Sequence, residues 1–185
     1  EPSVGGAVLR GPSPAWAEPR GIEIHSIPLV EREGEMVTAT RVRMLLTEGN
    51  VEGAAALLGR APTVRGIVQQ GDQRGRTIGF PTANVIPDPL LMTPANGVYA
   101  TRTTLEDGSL VPSVTNVGVR PTFDGQSRQV ETHLLDWSGN LYGQEIVVQF
   151  FHRLRGEQKF SGIDSLVAQI RKDAEQAGEL LANAN

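Results

Sequence analysis

The sequence contains no cysteine. That excludes disulfides, thiolate metal sites and a cysteine nucleophile. Aromatic residues make up only 5% of the chain, so a core must be built from aliphatic side chains. Lysine is nearly absent: Lys159 and Lys172 stand alone among seventeen Lys and Arg residues. The net charge of -4 argues against a general nucleic-acid surface, which gains affinity by releasing counterions from phosphates. Arginine still allows strong local phosphate recognition, because its planar fork is always charged. No uninterrupted apolar run approaches the ~20 residues that span a bilayer. The first residues also lack the basic and then apolar order of a secretory signal. The expectation is a soluble, cytoplasmic protein with neither membrane nor nucleic acid as partner. His25, His133 and His152 fall in separate contexts without ligand spacing, which speaks against a zinc or iron site.

The chain is long enough, at 185 residues, for one ordinary domain with a small appendage. Residues 1–20 carry Pro2, Pro12, Pro14 and Pro19 without a clear period and read as loop or linker. A β-prone run follows over 21–30, then the polar turn "EREGE". Two short helices are predicted next. One runs from about Thr40 to Glu48, with Val42, Leu45 and Leu46 on one side; the other is capped by Asn50 and stopped by Gly59. After Pro62, β-rich runs alternate with Gly, Pro, Asn and Asp turns, the rhythm of an antiparallel barrel or sandwich. The C-terminus reads as one amphipathic helix. Ser161 and Asp164 have capping-box spacing, Ile163, Leu166, Val167 and Ile170 recur at helical intervals, and Arg171, Lys172 and Glu175 point outward.

"GDQRGRTIGFPTANV" is the stretch that carries chemistry. Gly71, Gly75 and Gly79 lie four residues apart after a predicted strand. Glycine lets backbone N–H groups close on an anion, although a flexible hairpin would look the same. A P-loop is excluded, because no Gly-Lys-Ser/Thr follows and no helix begins. Pro81 stiffens the next turn, and Thr82 and Asn84, two apart in an extended segment, face the same way. A hydroxyl and an amide oxygen suit Mg²⁺; they equally suit bonds to nearby backbone. In "QVETHLLDW", Glu131, His133 and Leu135 share one strand face, while Val130, Thr132 and Leu134 share the other. A carboxylate in mid-strand needs a partner or solvent, so Glu131 is either a rim residue or a functional base.

Taken together, "GIVQQGDQRGRTIGFPTANV" resembles the signature of the riboflavin kinase (flavokinase) family. The likeness continues through "TNVGVRPTF" and "LYGQEIVVQFFHRLRGEQKFSGIDSL", from Pro62 to Leu181. The resemblance implies a mainly β fold: a six-stranded antiparallel Greek-key barrel with a C-terminal helix, preceded by a short α/β remnant. It implies transfer of phosphate from ATP to the ribityl 5′-hydroxyl of riboflavin, giving FMN and ADP. Gly71, Gly75, Gly79, Thr82 and Asn84 would attend the ATP phosphates, Thr82 and Asn84 would hold Mg²⁺, and Glu131 would be the general base. Arg155 and Phe160 would contact the flavin, while Arg120 and Phe123 would shape a neighbouring loop.

"VTATRVRMLLTEGNVEGAAALLGRAPTVRG" resembles the junction in bacterial bifunctional riboflavin kinase/FMN adenylyltransferases, where a Thr-Arg-x-Arg run precedes two helices. Thr40, Arg41 and Arg43 stand at those positions, and Arg41 or Arg43 would bind phosphate in a complete domain. Residues 1–61 are then the incomplete C-terminal part of a nucleotidyltransferase-like domain with its linker, and 62–185 the riboflavin kinase domain. No His-x-x-His or His-x-Gly-His pair is present, so FMN adenylyltransferase activity is not expected from this chain. An adenylyltransferase domain in cis or in trans would be a partner. Two alternatives remain open: a non-catalytic flavin- or nucleotide-binding barrel, and a docking module that would expose Val42, Leu45 and Leu46 to an adenylyltransferase.

Overall fold

Alternating apolar residues and Gly or Asp turns produce a barrel closed by six strands. The computed structural model describes residues 14–23, 25, 28–32, 34–71, 73–88, 90–122 and 125–183. Two units divide the chain, Glu1–Val30 and Glu31–Asn185. In the first, α1 (Pro14–Ala17) is a single turn that passes into a 3-10 turn at Glu18–Arg20. Proline opens a helix without loss, because the amide it lacks would be unpaired there. The stretch expected to be loop or linker therefore contains a helical turn in its described part. The run expected to be β-prone over 21–30 shows no strand among its described residues, and Ile24, Ser26 and Ile27 lie outside them.

The second unit begins with a small antiparallel ribbon, β1 (Glu31–Arg32) and β2 (Glu35–Met36), folded around the "EREGE" turn. Helix α2 (Ala39–Glu48) starts where Thr38 Oγ1 accepts the Arg41 amide at 3.2 Å. Thr40 and Arg41 thus lie in its first turn. Helix α3 (Val51–Leu58) starts where Asn50 Oδ1 accepts the Gly53 amide at 2.8 Å, and it ends at Gly59, as expected. Leu45, Leu46, Val51, Ala54 and Leu57 join one apolar cluster with the barrel interior, and Val42 packs against it. The stripe that a docking module would expose is covered by the chain's own barrel.

The barrel strands are β3 (Thr63–Gln69), β4 (Ala83–Pro87), β5 (Gly97–Thr104), β6 (Leu110–Thr122), β7 (Gly125–Leu134) and β8 (Glu145–Arg155). They close in the order β3-β4-β7-β6-β5-β8, with every pair antiparallel. Closure leaves no free sheet edge. Val64, Val68, Val85, Val117, Val130 and Val148 fill the interior with Tyr99 and Phe150. The rings of Tyr99 and Phe150 meet edge-on at 5.4 Å, a pairing that contributes about 0.5–1.5 kcal/mol beyond area burial. Part of the interior is polar instead. Thr101, Thr103, Ser113, Thr115 and Thr132 are fully buried and bond one another, with Thr115 Oγ1 at 2.7 Å from Thr101 Oγ1 and 2.8 Å from Thr132 Oγ1.

Helix α5 (Ile163–Ala182) packs across β5, β6 and β8, burying Ala177 and Leu181 beside Ala100. Arg171, Lys172 and Glu175 are exposed as expected. Its start differs from the expected Ser161–Asp164 box. The cap residue is Gly162, which has no side chain to offer, and Ser165 Oγ bonds both its amide (3.3 Å) and its carbonyl (2.8 Å). Ile163 is consequently left at the solvent end of the first turn, 60% exposed. Among the described residues no helix is long and apolar enough to cross a membrane.

Candidate active site

Side chains alternate across a strand, so the burial of Val130, Thr132 and Leu134 inside the barrel sends Glu131 and His133 to its outer face. Strand register then builds a row. Asn84 on β4 stands opposite Glu131 on β7, Glu131 opposite Asn116 on β6, Asn116 opposite Val98 on β5, and Val98 opposite Arg155 on β8. Arg155 joins through a register shift between Val98 and Tyr99: Tyr99 pairs with Arg153, but Val98 pairs with Arg155. One extra residue in β8 therefore brings a guanidinium, rather than Leu154, onto the row.

The row floors a cavity of about 630 Å³ between the barrel and α5. Phe160, Leu166 and Ile170 give it an apolar wall, and Asn116, Gln129, Glu131 and Arg155 give it polar groups. A second cavity of about 570 Å³ lies on the other side of β4, with Arg76, Trp137, Asn140 and Tyr142 in its lining. Gln73, Thr82 and Asn84 line both. The two spaces therefore meet where the sequence places its Thr-x-Asn pair. Trp137 is held against Gly139, where an added Cβ would fall 2.4 Å from the indole.

The glycine loop is not a simple hairpin turn. It contains one helical turn, α4 (Arg74–Thr77), whose start is set by Gln73 at φ 54°. The Phe80 amide bonds the Gly75 carbonyl at 2.8 Å and so folds the loop back on itself. The expectation that no helix begins there is corrected by this turn, which is far shorter than the helix of a P-loop. Two glycines are explained by close approach. A Cβ on Gly71 would lie 2.1 Å from Asn84 Nδ2, and one on Gly75 would lie 2.3 Å from the Phe80 carbonyl oxygen and 3.5 Å from Thr82 Oγ1. Gly71 and Gly75 thus lie directly over Asn84 and Thr82. Gly79, at φ 87°, ends the loop in open space.

Asn84 is buried, and its Oδ1 accepts Gln129 Nε2 at 3.3 Å; the same nitrogen donates to Glu131 Oε1 at 2.8 Å. His133 Nδ1 lies 2.7 Å from the Pro81 carbonyl, and its ring meets Phe80 edge-on at 5.5 Å. The histidine thereby holds the approach to Thr82. Arg155 lines the cavity beside α5, but its guanidinium is also committed to Asp173 on α5, Nη2 to Oδ2 at 2.8 Å. Phe160 lies beneath that guanidinium, 5.7 Å from its centre. The side chain of Arg120 and all of Phe123 lie outside the described residues.

Thr82 and Asn84 offer neutral hard oxygens, which suit Mg²⁺. Among the described residues no group of three His, Asp or Glu is placed to hold a metal ion. A cation here would take its remaining ligands from phosphate and water. Five of the expected site residues, Gly71, Gly75, Thr82, Asn84 and Glu131, are thus gathered at one seam. Gln129 and Asn116 were not singled out from the sequence. The period-2 pattern could have found Gln129, two residues before Glu131 on the same face. Asn116 required the β6–β7 register.

The site is thus the outer face of a closed antiparallel barrel, where a glycine loop lies over a Thr-x-Asn pair and a carboxylate stands on the neighbouring strand. The family model for riboflavin kinase (flavokinase) matches residues 58–181, and the chain belongs to that family. It is 41% identical over 159 residues to the bifunctional riboflavin kinase/FMN adenylyltransferase of Escherichia coli K12, covering 86% of this chain and 50% of that protein. It is 40% identical over 145 residues to the protein of the same description from Haemophilus influenzae, covering 78% of this chain and 47% of that one. A solved structure from Streptococcus pneumoniae, described as a macrolide-efflux protein, superposes with a TM-score of 0.77 at 36% identity, covering 82% of this chain and 49% of that one. The chain spans about half the length of the curated relatives it matches.

Proposed function

We propose that this chain transfers the γ-phosphoryl group of MgATP to the ribityl 5′-hydroxyl of riboflavin, yielding FMN and ADP. The observation that carries the reading is the seam: Asn84 and Glu131 are direct cross-strand partners where two cavities meet. ATP occupies the cavity of Trp137 and Tyr142, with its phosphates under Gly71–Gly79. Riboflavin occupies the cavity of Phe160 and Arg155, with its ribityl chain directed along the row toward Glu131. Thr82 and Asn84 would hold Mg²⁺, which would supply charge neutralisation to the phosphates. Glu131 orients the 5′-hydroxyl and accepts its proton as the oxygen bonds to phosphorus and the bond to the ADP oxygen breaks. Positioning and charge neutralisation supply most of the catalysis, as is general for phosphoryl transfer.

Residues 62–185 form the kinase domain in this reading, and the segment before them belongs to an adenylyltransferase-like half that works in cis or in trans in the cytoplasm. The test is FMN formation from riboflavin, Mg²⁺ and ATP, compared with Glu131→Gln. Loss of a general base lowers turnover by about 10²–10⁴-fold. Riboflavin binding, followed by quenching of flavin fluorescence, should persist in the variant. A Glu131→Gln protein that turns over like the parent would remove Glu131 as base.

A further inference from the structure

Gln129 is a side chain at the seam to which neither the signature nor the proposed mechanism gives a task. It lies on β7 two residues before Glu131, on the same outer face, and lines the flavin-sized cavity. Its register partner on β6 is Gly118, which brings no side chain to crowd it. Its amide nitrogen has two hydrogens, and both are used. One goes to Glu131 Oε1 at 2.8 Å, the other to Asn84 Oδ1 at 3.3 Å.

We infer that Gln129 is a positioning residue that sets Glu131 and Asn84 relative to each other through one amide group. This inference rests on the proposed roles of those two residues. A carbonyl oxygen has two lone pairs, so Asn84 Oδ1 can accept Gln129 and still present the other to a cation. The contact also fixes which way the Asn84 amide faces. Without a donor on that side, Asn84 Oδ1 and Nδ2 would compete for the same place, and the nitrogen is no ligand for Mg²⁺. Glu131 is a long side chain with three torsions to fix, and the bond to Oε1 removes part of that freedom before substrate arrives. Outer partners of this kind cost about 10–100-fold in activity or metal affinity when removed.

The test uses the 185-residue chain with Gln129→Met, which keeps volume and removes both donors, and Gln129→Glu, which keeps shape and replaces donors by acceptors. Three quantities are measured: kcat and KM for riboflavin at saturating MgATP; riboflavin affinity by fluorescence without nucleotide or metal; and the Asn84 side-chain amide signals in the metal-free protein by ¹⁵N NMR. The expected result is a kcat about 10–100-fold lower for Gln129→Met, and lower again for Gln129→Glu. Riboflavin affinity should stay within about twofold, and the Asn84 signals should move or broaden. A residue that merely fills space would leave kcat and the Asn84 signals unmoved in both variants, and that result overturns the inference. Loss of riboflavin affinity in proportion to kcat overturns it as well, by making Gln129 a flavin contact. If Glu131→Gln turns over like the parent, the proposed mechanism falls and this inference with it; if Glu131→Gln is inactive while both Gln129 variants are normal, only the inference falls.

Discussion

Asn84 and Glu131 stand directly opposite each other on neighbouring strands, forty-seven positions apart in sequence. Opposed residues on one sheet face hold their Cβ atoms about 4.5–5.5 Å apart, so the backbone alone fixes their spacing. The two ends of the proposed reaction, the phosphate side and the hydroxyl side, are thereby tied to one pair of barrel strands.

A methyl group at position 71 tests the phosphate side. The Cβ of Gly71→Ala would occupy the place of the Asn84 amide, so Asn84 must leave its position or the loop must rise. The KM for MgATP should increase, and kcat should fall, while riboflavin affinity stays near the parent value. Steady-state kinetics with each substrate varied in turn would show it. Equal losses for both substrates would mean a general disturbance of the barrel instead.

The Arg155–Asp173 pair ties β8 to α5. Asp173 is buried, and it accepts Arg155 Nε and Nη2 together with Gln169 Nε2. Removing Asp173 strands the Arg155 charge, but Arg155 is 21% exposed and reaches the cavity, so the cost falls below the about 3–5 kcal/mol of a fully buried pair. Asp173→Ala should lower the thermal midpoint by several degrees and loosen the cavity wall at Phe160. A midpoint within a degree or two of the parent would show that the pair contributes little.

The buried hydroxyl chain predicts a smaller effect with a clear sign. Thr115→Val keeps the shape of the side chain but deprives Thr101 and Thr132 of a partner each. Thr101 keeps its bonds to Ser113, so the loss falls on Thr132; an unsatisfied buried hydroxyl costs about 1–3 kcal/mol, and denaturant unfolding should shift to lower concentration with an unchanged slope. Added stability in the valine variant would mean that the chain serves something other than stability.

Alkaline pH should weaken the fold through Tyr99. Burial raises its pKa above the ordinary 10.0, with the nearby Arg153 opposing, and its hydroxyl donates to the Ala95 carbonyl at 2.6 Å. An acid whose folded pKa is raised stabilises fully below the unfolded pKa, and that contribution is lost as pH rises through the folded value. Stability should thus be level with respect to this group up to about pH 10 and fall beyond it. Tyr99→Phe should lose the hydrogen bond at all pH values and show a shallower alkaline decline, measured by urea unfolding from pH 8 to 11.

Much of this was legible in the residues. The caps at Asn50 and Gly59 are local chemistry, decided within four residues, and they appear where the sequence puts them. Alternation alone separates Val130, Thr132 and Leu134 from Glu131 and His133, and the packed interior decides that the first set turns inward. The helical turn at Arg74–Thr77 was not legible: it depends on Gln73 taking a left-handed conformation and on Phe80 folding back to Gly75. Nor was the start of α5, where Ser165 acts from inside the helix rather than Ser161 from before it.

What the sequence by itself determined is whatever depends on neighbours along the chain: the glycine spacing, the Thr-x-Asn direction, strand periodicity and the apolar side of α2, though not what covers it. What only the tertiary structure decided is the meeting of distant segments. Register set Asn84 beside Glu131 and Asn116, an extra residue in β8 brought Arg155 onto their row, and closure of the barrel made one seam out of two cavities. The physical reason is that strand pairing is chosen by the packing of the whole interior, and a slip of one residue would turn every one of these side chains to the opposite face.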